Sequence, residues 1–120
     1  MASISLTKII EKMKLENLTP EIDVSNIKIT QPDINRPALQ MAGYFEHFAA
    51  TRLQIIGFVE YSYIGSLSVE QERQVLEALL SYPIPCMVFC RDLHPDELFR
   101  QIAIEKGVPL LMTKKATSAF

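Results

Sequence analysis

Glycine is scarce in this chain, with four in 120 residues at positions 43, 57, 65 and 107, none close to another. A phosphate-gripping loop needs clustered glycines so that successive backbone amides can point at the phosphates. Neither Gly-Lys-Ser, Gly-Lys-Thr nor a spaced glycine fingerprint occurs. A P-loop and a dinucleotide-binding turn are therefore excluded. Histidine is scarcer still, and only two cysteines occur, in the apolar run Cys86-Met87-Val88-Phe89-Cys90. On a strand these thiols share one face about 13 Å apart, too far for a disulfide. A zinc site would need two further ligands, and His47 and His94 are the only histidines. Both cysteines read as small apolar core residues of a reduced, cytoplasmic protein, with no metal bound.

An excess of either charge is also missing. The net charge is −2 and the isoelectric point is near 5.7. Lys8, Lys12, Lys14, Lys114 and Lys115 lie scattered among acids, without a basic stripe interleaved with aromatics, so a nucleic-acid surface is not expected. No apolar run approaches the length of a membrane span, and the N-terminus has the pattern of an amphipathic helix, not a signal peptide. The composition, 48% hydrophobic and 22% charged, is that of an ordinary globular chain. Its length fits one domain over residues 1–120 with a sizeable core.

What is present is a clear alternation of elements. Leu6, Ile9, Ile10 and Met13 recur at helical spacing behind Ser5, predicting an N-terminal helix over 6–14. Residues 15–30 are rich in turn formers, with a strand at Ile27–Thr30. The segment Asp33 to Phe45 combines Asp33 and Asn35 as amide-bonding residues, Pro37 for a first helical turn and Gly43 as a left-handed stop. Leu53–Gly57 reads as a short strand. Ser68 and Gln71 form a capping box, followed by Val75, Leu76, Leu79 and Leu80 on one helical face. A buried strand over 86–90 follows Pro85. Pro95 suits a first helical position with Asp96 and Glu97 in the first turn, and Leu98, Phe99, Ile102 and Ala103 form its apolar face up to Gly107. Pro109–Met112 is a third strand. The expected fold is α/β, a three-layer-like arrangement with a mainly parallel βαβαβ core and an N-terminal helix.

The residues that could carry chemistry are few. His94 stands between Asp92 and Asp96, but at a strand-to-helix turn where capping needs such polarity. His47 sits among Tyr44, Phe45 and Phe48 and reads as a half-buried surface residue. Glu70, Glu72, Arg73 and Glu77 look like a solvated helical face, and Ser66 and Ser68 have no histidine nearby in sequence. No catalytic residue is assigned. Open α/β sheets collect ligands at the carboxyl ends of their strands. Here those ends fall near Gly57-Phe58, Cys90-Arg91-Asp92 and Thr113-Lys114, so Arg36, Arg91 and Lys114 are the candidate contacts for an anion.

Several unusual words recur together along the chain. Asp33-Ile34-Asn35-Arg36-Pro37 with Ala42-Gly43-Tyr44-Phe45, Arg52-Leu53-Gln54-Ile55-Ile56-Gly57 and Glu60-Tyr61-Ser62-Tyr63 are the first of them. Pro85-Cys86-Met87-Val88-Phe89-Cys90-Arg91, Gly107-Val108-Pro109-Leu110-Leu111 and Thr113-Lys114-Lys115-Ala116-Thr117-Ser118 complete the set. In this order and spacing they resemble the N-terminal domain of bacterial HPr kinase/phosphorylase. The resemblance implies a parent enzyme of carbon catabolite repression. That enzyme phosphorylates a serine of HPr, the phosphocarrier of the sugar phosphotransferase system, with ATP or pyrophosphate, and removes the phosphate by phosphorolysis. It implies that the P-loop, its acid and histidine partners and magnesium lie in a C-terminal domain, which also builds a hexamer and which this chain lacks. It also implies a fold similar to the UDP-binding domain of muramyl ligases. Ala38 and Gly65 depart from the residues common in that family, and no family catalytic residue has a matching position here.

Two roles follow as expectations. In one, the chain senses a small molecule, a nucleotide or sugar phosphate, through Arg36, Arg91 and Lys114, and needs no cofactor of its own. In the other it is an interaction or oligomerisation module, with Phe45, Phe48, Tyr61 and Tyr63 as an exposed apolar patch.

Overall fold

The computed structural model describes residues 4–30, 34–46 and 48–114. In chain order the elements are β1 (Ile4–Ser5), α1 (Leu6–Met13), β2 (Glu16–Asn17), β3 (Lys28–Ile29), β4 (Ile34–Asn35) and α2 (Ala38–Met41). They continue with β5 (Leu53–Ile56), α3 (Phe58–Gly65), α4 (Val69–Leu79), β6 (Met87–Phe89), α5 (Glu97–Lys106) and β7 (Leu110–Met112). The main sheet has the order β2-β7-β6-β5-β4. Strands β4 to β7 run parallel, and β2 closes one edge antiparallel to β7. β1 and β3 form a separate antiparallel pair.

Every residue of β5, β6 and β7 is buried, as expected of a parallel sheet covered on both faces. The alternation of the strand divides these side chains between two cores. Ile56, Met87, Phe89, Leu110 and Met112 meet Leu76, Leu79, Phe99 and Ile102 of α4 and α5. Leu53, Ile55, Val88 and Leu111 meet Leu6, Leu15 and Ile29 on the other side, together with Cys86 and Cys90. The sheet is thus the middle of three layers, in agreement with the α/β class read from sequence. Both cysteines are buried and neither forms a disulfide, and burial pushes the Cys86 thiol up to about 12.

Caps fix the helix boundaries. Lys8 N–H donates to Ser5 Oγ at 3.3 Å at the start of α1. Ser68 and Gln71 exchange both bonds of a capping box at the start of α4, 3.1 and 3.2 Å. Ser68→Ala is expected to lower stability by about 1 kcal/mol in urea denaturation; an unchanged midpoint would contradict the cap. Asp96, not Pro95, begins α5: its Oδ1 accepts from Phe99 N–H at 2.8 Å, so Pro95 lies outside the helix. Gly107 ends α5 at φ 74°.

Three local features differ from expectation. α3 occupies a stretch with no clear helical stripe, and β2 and β4 are two-residue strands recognisable only by their partners. In the segment that begins with Asp33, itself outside the described residues, Asn35 caps no helix among the described residues: its Nδ2 donates to Gln54 Oε1 at 2.7 Å, joining β4 to β5. Gln54 is buried and spends its amide donors on the carbonyls of Ala49 (3.0 Å) and Arg52 (2.9 Å). Pro37 precedes the single turn of α2 and Gly43 follows it at φ 102°, as the turn chemistry requires.

Candidate functional site

The parallel strands all deliver their carboxyl ends to one edge of the sheet, so Arg36, Gly57, Arg91 and Lys114 each follow a strand there. The structure gives the three expected cations different surroundings. Arg36 grips Glu60 with two parallel bonds, Nε to Oε2 at 3.1 Å and Nη2 to Oε1 at 2.9 Å. The same Oε1 accepts Gly57 N–H at 2.9 Å, capping α3. Glu60 is 2% exposed, whereas the Arg36 side chain is 43% exposed. The hydrogen bonds to Glu60 hold the guanidinium above its usual proton affinity. Arg36 therefore neutralises a buried carboxylate and clamps β4 to the start of α3.

Arg91 follows β6 with φ 56°, and Asp92 follows at 58°, both in the left-handed region. Two consecutive non-glycine residues there cost on the order of 1 kcal/mol each. The turn is closed by Leu93 N–H on Cys90 O at 3.1 Å and tied to the end of β7 by Asp92 N–H on Thr113 O at 3.0 Å. Arg91 is exposed beside this turn. His94 Nε2 lies 3.5 Å from Asp92 Oδ1 with both side chains exposed. Asp96 Oδ1 serves the α5 cap, accepting from Phe99 N–H.

Lys114 meets a different company. With Lys12 and Lys14 from the end of α1 it lines a groove of about 450 Å³ whose other walls are Met13, Glu16, Met112 and Thr113. These lysines, scattered in sequence, converge because β2, which follows the end of α1 directly, pairs with β7. The remaining basic residue of the tail, Lys115, lies outside the described residues, as does His47.

A second, smaller cavity of about 90 Å³ opens between α3 and α5, walled by Ile56, Tyr61, Ile64, Phe89, Asp96 and Phe99. Close to its Asp96 wall sits a side chain whose place differs from expectation. Glu72, read as part of a solvated face, is only 6% exposed, and its Oε2 has no hydrogen-bond partner among the described residues. Burial, and secondarily the neighbouring Asp96, push its carboxyl up to about 7. The signal was available: Glu72 precedes Val75, Leu76 and Leu79 at helical spacing, on the buried stripe. Glu60 carried no role of its own in the sequence reading, although it stands at the third helical position after Gly57, where a carboxylate caps.

The expected aromatic patch is also rearranged. Phe45 stacks on Tyr82 at 4.9 Å, Phe48 meets Tyr82 edge-on at 5.1 Å, and both, like Tyr61, pack against the core. Of the four residues expected there only Tyr63 is exposed. Among the described residues no group of three or more His, Cys, Asp and Glu converges, and no helix is long and apolar enough to cross a membrane.

These features define an open, mainly parallel α/β sheet protein with a polar strand-end edge and no phosphate-gripping glycine loop. The chain belongs to the family described as HPr Serine kinase N terminus, whose family model matches residues 4–120. It is 49% identical over 120 residues to the HPr kinase/phosphorylase of Lachnoclostridium phytofermentans, covering 100% of this chain and 39% of that protein. It is 39% identical over 113 residues to the HPr kinase/phosphorylase of Caldicellulosiruptor bescii, covering 94% of this chain and 36% of the relative. The chain thus corresponds to less than two fifths of either relative. Among solved structures it is similar to the CBS and DRTGG domains of the regulatory region of Clostridium perfringens pyrophosphatase, complexed with the activator diadenosine tetraphosphate. That match has a TM-score of 0.60 and 14% identity, and covers 96% of this chain and 43% of the other. At that identity the likeness concerns the fold.

Proposed function

We propose that this chain is the non-catalytic regulatory and interaction module of a bifunctional kinase/phosphorylase acting on a serine of HPr in carbon catabolite repression. The observation that carries the proposal is the alignment of the whole chain with 39% of an HPr kinase/phosphorylase. Four dispersed glycines support it, since none can build a loop for ATP phosphates. ATP and magnesium then belong to the rest of the parent, which acts on HPr in the cytoplasm and assembles as a hexamer through its C-terminal domain.

The test is a phosphotransfer assay on the 120-residue chain with HPr, ATP and magnesium, and the reverse assay on seryl-phosphorylated HPr with inorganic phosphate. Neither reaction is expected to exceed background. Turnover by the isolated chain would overturn the non-catalytic assignment.

A second reading keeps the regulatory role and adds a small anionic ligand at the strand ends, through Arg36, Arg91 and Lys114. It is favoured by the exposure of Arg91 and Lys114 on one sheet edge. The pairing of Arg36 with Glu60 leaves that arginine the weakest of the three contacts.

A further inference from the structure

We infer that the groove between the end of α1 and the carboxyl end of β7 binds a phosphorylated small molecule of nucleotide size, held by Lys12, Lys14 and Lys114. The inference rests on the anion-sensing reading above and moves its centre away from Arg36. A groove of about 450 Å³ lies within the range of small-molecule sites. Three lysines face it against one carboxylate, Glu16, in a chain whose net charge is −2. None of these lysines joins an ion pair among the described residues, whereas Lys106 does, with Glu77 at 3.8 Å.

Complementing the α1 dipole explains Lys12 and Lys14 at that helix end. It does not explain Lys114, which arrives from β7. Lys14 also holds the left-handed cap of α1 at φ 54°, a position that glycine takes without strain. A lysine there costs about 1 kcal/mol and brings a third ammonium to the groove. Three ammonium groups suit a chain of phosphates, and the thioethers of Met13 and Met112 offer an adaptable apolar wall for an organic moiety. The location agrees with general α/β practice. The groove lies at the carboxyl edge of a parallel strand, where β2 reverses the sheet direction opposite Met112.

The experiment is a titration of the 120-residue chain with ATP, sodium tripolyphosphate and adenosine, in magnesium-free buffer, followed by amide shifts and calorimetry. ATP and tripolyphosphate are expected to shift amides around Lys12–Glu16 and Met112–Lys114, with ATP the tighter ligand and adenosine failing to bind. Lys12→Ala and Lys114→Ala should each weaken ATP about fivefold or more. Lys28→Ala, an exposed lysine on β3, should change it by less than about twofold. Melting curves of each variant confirm that the fold is kept. Any one of four results overturns the proposal: no shifts at millimolar ligand, shifts centred on Arg91, equal weakening by Lys28→Ala, or ATP binding no tighter than tripolyphosphate. The phosphotransfer assay does not depend on this titration, so failure of one reading is separable from failure of the other.

Discussion

Replacing Glu72 by glutamine is expected to stabilise the fold near pH 8 by roughly 2–3 kcal/mol and to have little effect near pH 4. The cause is the burial of a carboxyl whose second oxygen has no hydrogen-bond partner among the described residues. Its proton affinity rises from an ordinary 4.5 to about 7 in the folded chain. Above that value the folded state must hold an ionised carboxylate away from water, which destabilises it. Between 4.5 and 7 the folded chain binds more protons than the unfolded one, so this group's contribution to stability improves as pH falls. Below 4.5 both states are protonated and the penalty is gone. Glutamine reproduces the shape of the neutral acid and offers an amide donor toward Asp96. Urea denaturation of both proteins at the two pH values is the measurement. A stability difference that is the same at both would sink the account, because only a titrating group can make it vanish.

Arg36→Ala is expected to cost about 3 kcal/mol, the low end for breaking a buried ion pair, because the arginine itself is partly exposed. The variant leaves the buried Glu60 side chain with Gly57 N–H as its one hydrogen bond among the described residues. Arg36→Lys should recover only part of the loss, since one ammonium cannot supply both parallel bonds. Replacing the pair together, Arg36→Met with Glu60→Leu, should cost less than the sum of the single changes, because no orphaned charge remains. Chemical denaturation of the parent chain, Arg36→Met, Glu60→Leu and the double variant closes this cycle. The result also bears on function: if Arg36 were a ligand contact instead of a clamp, its removal would weaken ATP binding while leaving stability near that of the parent chain.

The candidate site was legible in unequal parts. Lys114 was expected at a strand end and lies there, but its companions are Lys12 and Lys14, not Arg36. Arg91 was expected at the end of β6 and occupies it, in a left-handed turn that no local pattern announced. Glu72 was misread because its charge was weighed above its place on the apolar stripe. A helix presents its i, i+3 and i+4 positions on one face whatever their polarity. The side chain is therefore buried by its neighbours' packing and accommodates by holding its proton.

The sequence alone determined what depends on neighbours within a few residues. Apolar runs set β5, β6 and β7, the cap at Ser68 began α4, and the stop at Gly107 ended α5, whereas the Asp96 cap emerged only in the structure. These signals survive in a single chain because helical periodicity, capping and turn stereochemistry are short-range. Only the tertiary structure decided the rest. Arg36 meets Glu60 across 24 positions and Asn35 meets Gln54 across 19. β2 and β4 gain their strand character from β7 and β5, and lysines from opposite ends of the sequence share one groove. A charged side chain reads the same in sequence whether it is solvated, clamped or aimed at a ligand. Which of these it becomes is fixed by the dielectric and the partners around it, and those exist only once the layers have packed.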